Sequence, residues 1–241
     1  MLKVAVGHST NLDSLEAIAD VLHQCRIELA GEKPIAGILV AAIDFDHELI
    51  LNQVMNAFPG LELVGGTTDG EISSVLGFEQ DSLSLMLFCS DRINIRAGIG
   101  MNVSGDVAAA THNAVAQAKA GNTDSIQFCI ALPESLTTSA VQIVEHLKQA
   151  LGHHVPIFGG LTADQWRFQK TYQFFQNRVC SDAVAVLLFS GPILFSHGIA
   201  NGWLPIGKQG RITQVVQNVV HTIDKRPAIE FYRYYITPYV S

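Results

Sequence analysis

The chain is 241 residues long, 48% hydrophobic and only 15% charged, which excludes disorder and allows roughly 70% of the unfolded surface to be buried. A formal charge of −7 and the lack of any Lys/Arg run argue against a phosphate backbone, so no nucleic-acid partner is expected. The longest apolar stretches, such as residues 35–43, are too short for a membrane span, and the N-terminus carries no basic leader; a soluble cytoplasmic protein is expected.

The chain opens with an apolar strand at Val4-Ala5-Val6. Asp13 and Glu16 are spaced as a capping box for a helix that sets Leu15, Ile18, Ala19 and Leu22 on one face. A buried strand over residues 35–43 follows, then a helix from Asp46 with Ile50, Val54, Ala57 and Phe58 inward. The segment Gly65-Gly66-Thr67-Thr68-Asp69-Gly70-Glu71 reads as a turn before a strand over residues 83–88.

The same order then recurs. A strand near residues 95–99 precedes a helix with Val107, Ala110, Thr111, Ala114 and Ala118 inward, and residues 126–132 form the next strand. A helix from Thr137 or Thr138 carries Ile143, Val144, Leu147 and Leu151 and stops at Gly152. A second Gly-Gly turn, Gly159-Gly160, leads through Asp164 to strands at residues 171–175 and 183–189. Beyond Phe195, residues 211–223 read as β, and Asp224 and Pro227 start a last helix bearing Phe231, Tyr232 and Tyr235. The predicted class is α/β: two tandem βαβαββ-type repeats with mainly parallel β pairing, plus a short C-terminal β/α extension. The domain reading is residues 1–195, with pseudo-repeats 1–93 and 94–195, then residues 196–241, where the character changes.

Ligands in open α/β sheets sit beyond the carboxyl ends of parallel strands, where both glycine turns are expected. Two readings stay open there. Gly65, Gly66, Gly159 and Gly160 either present backbone amides to a ligand, with Thr67, Thr68, Asp69, Glu71 and Asp164 beside them, or merely permit tight packing. Amides for a carboxylate and acids for an ammonium would suit an amino-acid-like zwitterion. Asp69 and Glu71 as an acid/base pair is a rival, weakened because neither G-x-S-x-G nor H-E-x-x-H occurs, so no catalytic residue is assigned. Residues 202–208 imitate a phosphate loop but fail at Gln209 and Pro205, leaving Trp203 as a core or pocket-wall aromatic. The four cysteines lie apart in apolar stretches and read as buried thiols. None of the nine histidines sits at chelating spacing save the adjacent His153-His154, whose side chains would diverge, so no metal site is assigned.

Four ordered segments carry a resemblance. Gly65-Gly66-Thr67-Thr68-Asp69-Gly70-Glu71-Ile72 and its echo Phe158-Gly159-Gly160 with Asp164 resemble the signature turns of the FIST (F-box and intracellular signal transduction) family. Gly202-Trp203-Leu204-Pro205-Ile206-Gly207 and Pro227-Ala228-Ile229-Glu230-Phe231-Tyr232 are similar to two further elements of it, with Asn201 standing where many relatives place His. The resemblance implies a non-catalytic sensory input module for small molecules such as amino acids, and that residues 196–241 are the incomplete start of a C-terminal region. It also implies, as alternatives, haem as a cofactor for nitric-oxide sensing, and signalling partners such as a histidine kinase or a diguanylate cyclase/phosphodiesterase. A homodimer is left open.

Overall fold

The computed structural model describes residues 2–205, 207–216 and 219–236, which divide into two compact units, Met1–Ile193 and Leu194–Ser241. The first half of the first unit runs β1 (Leu2–Ser9), α1 (Ser14–Leu29), β2 (Ala36–Ala41), α2 (His47–Ala57), β3 (Glu62–Thr67), the hairpin β4 (Glu71–Ser73) and β5 (Gly77–Glu79), and β6 (Leu83–Ser90). The second half runs β7 (Asn94–Met101), α3 (Val107–Lys119), β8 (Ile126–Pro133), α4 (Ala140–Leu151), β9 (Ile157–Gly159), the hairpin β10 (Gln173–Phe175) and β11 (Arg178–Cys180), and β12 (Ala183–Ser190).

Acidic caps start three of the helices. The carboxylate of Asp13 accepts from the N–H groups of Leu15 and Glu16, that of Asp46 from Leu49, and that of Asp106 from Ala109. Helix α4 begins at Ala140, not at Thr137 or Thr138. Those two threonines instead donate their amides to the buried carboxylate of Glu134, which follows the preceding strand.

The α/β class holds, but the pairing differs from a mainly parallel sheet. The first sheet has the order β1-β6-β2-β3-β10-β11 and the second β7-β12-β8-β9. Only β2–β3 and β8–β9 pair in parallel in these two sheets, and every other ladder there is antiparallel. The reason is insertion. The last strand of each half turns back between the first and second, so β1 and β2 point the same way with antiparallel β6 between them.

Both sheets are buried on two faces, which the period-2 geometry of a strand makes visible. On β12, Val184, Val186 and Leu188 face the α3–α4 layer, while Ala185, Leu187 and Phe189 meet the first sheet. On β6, Leu83, Leu85 and Leu87 face the α1–α2 layer and Phe88 points to the second sheet, where its ring lies 5.4 Å from that of Phe189. The unit is thus helix, sheet, sheet, helix, with three apolar cores. Each core holds cysteine: Cys25 and Cys89 on the first helix side, Cys129 on the second, and Cys180 between the sheets. Burial pushes the thiols of Cys25 and Cys129 up to about 12.

The second unit contains β13 (Ile212–Val216), β14 (Val219–Ile223), β15 (Arg226–Pro227) and α5 (Ala228–Ile236), with Ile206, Gln217 and Asn218 outside the described residues. The phenol of Tyr235 accepts from the Lys208 amide, and its ring closes over Gly207, where a Cβ would lie 2.1 Å away. Among the described residues, no helix is long and apolar enough to cross a membrane.

Candidate functional site

The two glycine pairs are alike at their first member and unlike at their second. Gly65 and Gly66 lie inside β3, paired with β2 on one side and β10 on the other. A Cβ at Gly65 would sit 1.8 Å from the Leu39 carbonyl oxygen and 3.1 Å from the Phe174 ring. At Gly66 it would sit 2.3 Å from Thr162 Cγ2 and 2.8 Å from the Tyr172 carbonyl oxygen. The expected turn opening onto a shared cavity is therefore corrected for this pair: it is a strand segment covered by the second half of the chain. Gly159, with φ of 137°, ends the edge strand β9 and is closed like Gly65, its Cβ 1.9 Å from the Ala131 carbonyl oxygen, whereas a methyl group at Gly160 would meet nothing within 4 Å.

Thr67, Thr68, Asp69, Glu71 and Asp164 are brought together at the carboxyl ends of β2 and β3 by the segment 161–172. Thr67 accepts from the Ala163 amide through its carbonyl and from the Tyr172 amide through its hydroxyl, at 2.8 and 3.1 Å. Asp69 accepts from the Gln165 amide at 2.6 Å. Asp164, 4% exposed, folds the segment around itself, accepting from the amides of Phe168, Gln169 and Lys170. Burial alone would raise that carboxyl, but the donated N–H groups outweigh it and hold it below the usual aspartate range.

Glu71 is buried beside Thr68 and Ser82. It accepts from the hydroxyls of Thr68 and Ser82, and Ser82 in turn meets His8 Nε2 at 2.9 Å, while His8 Nδ1 meets the Ser73 hydroxyl at 2.7 Å. This is not a nucleophile–base–acid relay. The carboxylate contacts the serine directly and another serine holds the outer histidine nitrogen, whereas a relay needs the acid on that nitrogen. Burial raises the Glu71 carboxyl and lowers the His8 imidazole, the former opposed by the hydrogen bonds of Ser82 and Thr68.

Opposite pH effects follow. Folding favours protonated Glu71, so its contribution is whole below its ordinary 4.5 and is lost as pH rises through the raised folded value. Folding favours neutral His8, so its contribution is whole above 6.5 and is lost as pH falls through the lowered folded value. Glu71→Gln, which keeps the shape and removes the charge, is expected to raise stability near neutral pH, with the gain vanishing below about pH 4. Urea unfolding at several pH values measures it, and an equal change at every pH would contradict the assignment.

Sequence reasoning missed what the segment displays outward. Gln165, Trp166 and Phe168 all have left-handed backbones, with φ of 55°, 63° and 52°. For bulky residues such conformations cost on the order of 1 kcal/mol each and persist only when the surroundings impose them. The Asp164 carboxylate and the Asp69–Gln165 bond impose them here. The rings of Trp166 and Phe168, 76% and 69% exposed, meet edge to face at 6.0 Å. Around them, Arg167 forms a two-point ion pair with Asp44, Gln165 donates to Asp81, and Lys170 lies 5.0 Å from the centre of the Tyr172 ring. The available signal was two aromatics in Gln-Trp-Arg-Phe-Gln-Lys, a polar run with no apolar period and no glycine. Trp203 is 88% exposed and belongs to the second unit.

Among the described residues no group of three or more His, Cys, Asp or Glu is placed to hold a metal ion. His8 has both ring nitrogens engaged, and the His47 ring donates from Nε2 to the Ala42 carbonyl and packs against Tyr172 and Phe174. The engagement of both His8 nitrogens closes that ring to axial ligation of a haem.

Residues 36–226 match the FIST N domain. Over 87 residues the chain is 28% identical to an uncharacterized protein of Methanocaldococcus jannaschii, a stretch covering 36% of this chain and only 17% of that longer protein. Among solved structures it is similar to a cyanuric acid hydrolase from A. caulinodans, at 13% identity and a TM-score of 0.37, covering 79% of this chain and 67% of that one. A second structure described as cyanuric acid hydrolase aligns at 10% identity and a TM-score of 0.35, covering 79% and 68%.

Proposed function

The chain belongs to the FIST N domain family of signal-transduction sensory domains, and from that premise we propose that it is a non-catalytic cytoplasmic receptor for a small, amino-acid-like ligand. The reading places the ligand on the outer surface of segment 161–172. The observation that carries it is the set of three strained positions, Gln165, Trp166 and Phe168, which hold two large aromatic rings in solvent. Strain at non-glycine residues is kept where it serves a purpose, and ordinary packing gives no reason to display these rings. An aromatic wall can take an ammonium or an apolar side chain, while Asp81 and the Arg167 guanidinium offer charges of both signs beside it. Occupancy is transmitted to a signalling protein, such as a histidine kinase or a cyclic-di-nucleotide enzyme, to the extent that the ligand prefers one of two states.

The test is thermal unfolding against an amino-acid panel. A true ligand at a hundred times its Kd adds about 2.7 kcal/mol of stability. Trp166→Gly separates the site from the scaffold. It relieves the left-handed backbone, so the unliganded protein should be unchanged or more stable by up to about 1 kcal/mol, while the ligand-dependent gain disappears. A ligand shift that survives this variant places the site elsewhere; no shift with any amino acid removes the proposed ligand class.

A further inference from the structure

The two halves follow one path but part at the hairpin, whose approach takes 3 residues before β4 and 13 before β10, and at where the hairpin docks. In both, the third strand leaves the sheet after a Gly-Gly pair, a hairpin follows, and an aspartate with left-handed backbone, Asp81 or Asp182, leads into the last strand. Hairpin β10–β11 of the second half is docked. It extends the first sheet by pairing antiparallel to β3, with Gly66 opposite Gln173, Gly65 opposite Phe174 and Val64 opposite Phe175. Its counterpart β4–β5 pairs only with itself, and Ile72 and Phe78, at the places of Phe174 and Val179, are 77% and 60% exposed. Its natural acceptor, β9, is the last strand of the second sheet, bare on its outer edge among the described residues.

Donor and acceptor are both pre-shaped. Glu71 accepts from the Ser82 hydroxyl and Gln173, in the same place, from the Ala183 amide, so each hairpin is fastened to the start of its own last strand. Beside β9 lies an apolar groove of about 210 Å³ lined by Ile143, Val144, Leu147, Phe158 and Leu161. On the first sheet the corresponding space beside β3 is filled by Phe174, which packs against His47 of α2 at 5.1 Å. The open space at Gly160 is the space that Thr162 and Tyr172 occupy at Gly66.

We propose that β9 and its groove receive hairpin β4–β5 of a second copy of this chain, with β4 antiparallel to β9, Ile72 opposite Gly159 and Glu71 opposite Gly160. The interface repeats between chains the strand addition that already joins the two halves within one chain. A second copy is the occupant because each chain carries one unmatched donor and one unmatched acceptor of the same built-in contact. Strand addition supplies main-chain hydrogen bonds, and a bare edge is otherwise an aggregation hazard. The contact is head-to-tail, so it closes into a ring or propagates.

A head-to-tail contact has a signature that a symmetric patch lacks. Ile72→Asp spoils the donor, and Gly160→Val fills the acceptor with a side chain that meets open space in the isolated chain. Light scattering of the full-length protein should show self-association of the wild type, weakened at least about tenfold in Kd by either change alone. Mixing the two variants should restore a one-to-one dimer, because the intact hairpin of one meets the intact edge of the other. Circular dichroism and melting temperature serve as folding controls. A wild type that stays monomeric overturns the proposal, as do variants that self-associate like the wild type. A mixture that stays dissociated does so as well.

Discussion

Phe174→Ala is expected to lower the unfolding free energy by about 3–5 kcal/mol, the range for truncating a fully buried phenylalanine. Phe174 is wholly buried, yet it is contributed by the second half of the chain to the core on the helix side of the first sheet. Its ring sits over Gly65 and beside His47. Removing it leaves a cavity where strand, hairpin and α2 meet, and weakens the pairing that closes the outer edge of β3. Urea unfolding gives the size of the loss, and hydrogen exchange should show Gly65 and Thr67, whose amides face β10, losing protection before Leu39 of the interior strand β2 does. Phe168→Ala, which trims an exposed ring outside that core, should stay within about 0.5 kcal/mol of wild type. A loss below about 1 kcal/mol for Phe174→Ala would mean the hairpin is not what seals that edge.

Gly65→Ala is expected to be at least as damaging, about 3 kcal/mol or more, whereas Gly160→Ala should change stability by less than about 0.5 kcal/mol. The added methyl at position 65 would meet a carbonyl oxygen at 1.8 Å, and backbone on an adjacent paired strand cannot step aside cheaply. At position 160 the same methyl meets nothing within 4 Å. Chemical denaturation of the two single variants side by side is the measurement. Equal effects would remove the open space at Gly160 on which docking at β9 depends.

That contrast marks the limit of what the sequence discloses. Strands, helices and their order are legible because each leaves a local trace: Asp13, Asp46 and Asp106 before apolar helical faces, and apolar runs such as residues 183–189. The periodicity sets Leu15 and Ala19 inward on α1, yet the buried face is Ala17, Ile18, Val21, Leu22, Cys25 and Leu29, a rotation within the width of the apolar stripe. The insertion of β6 and β12 between earlier strands has no local trace, since a strand buried on both faces shows no alternation to indicate its neighbours. The residues of the candidate site divide in the same way. The Gly-Gly-Thr-Thr-Asp segment announces itself locally, but its cover, residues 161–172, is remote in sequence, with Gln165 standing 96 positions from the Asp69 it bonds. Only the tertiary pairing of the halves makes Asp164, Trp166 and Asp69 neighbours.

The three apolar layers of the first unit come with their own reporters. A thiol reacts as its thiolate, and Cys25 and Cys129 are both enclosed and pushed up to about 12. Alkylation should therefore proceed only through opening, and the tagging rate of each cysteine becomes a clock for the layer that encloses it. Cys25 times separation of α1 from the first sheet, Cys129 that of the α3–α4 layer from the second, and Cys180 parting of the sheets themselves. Peptide mapping of a single labelling time course would rank the three seams by strength without a single mutation.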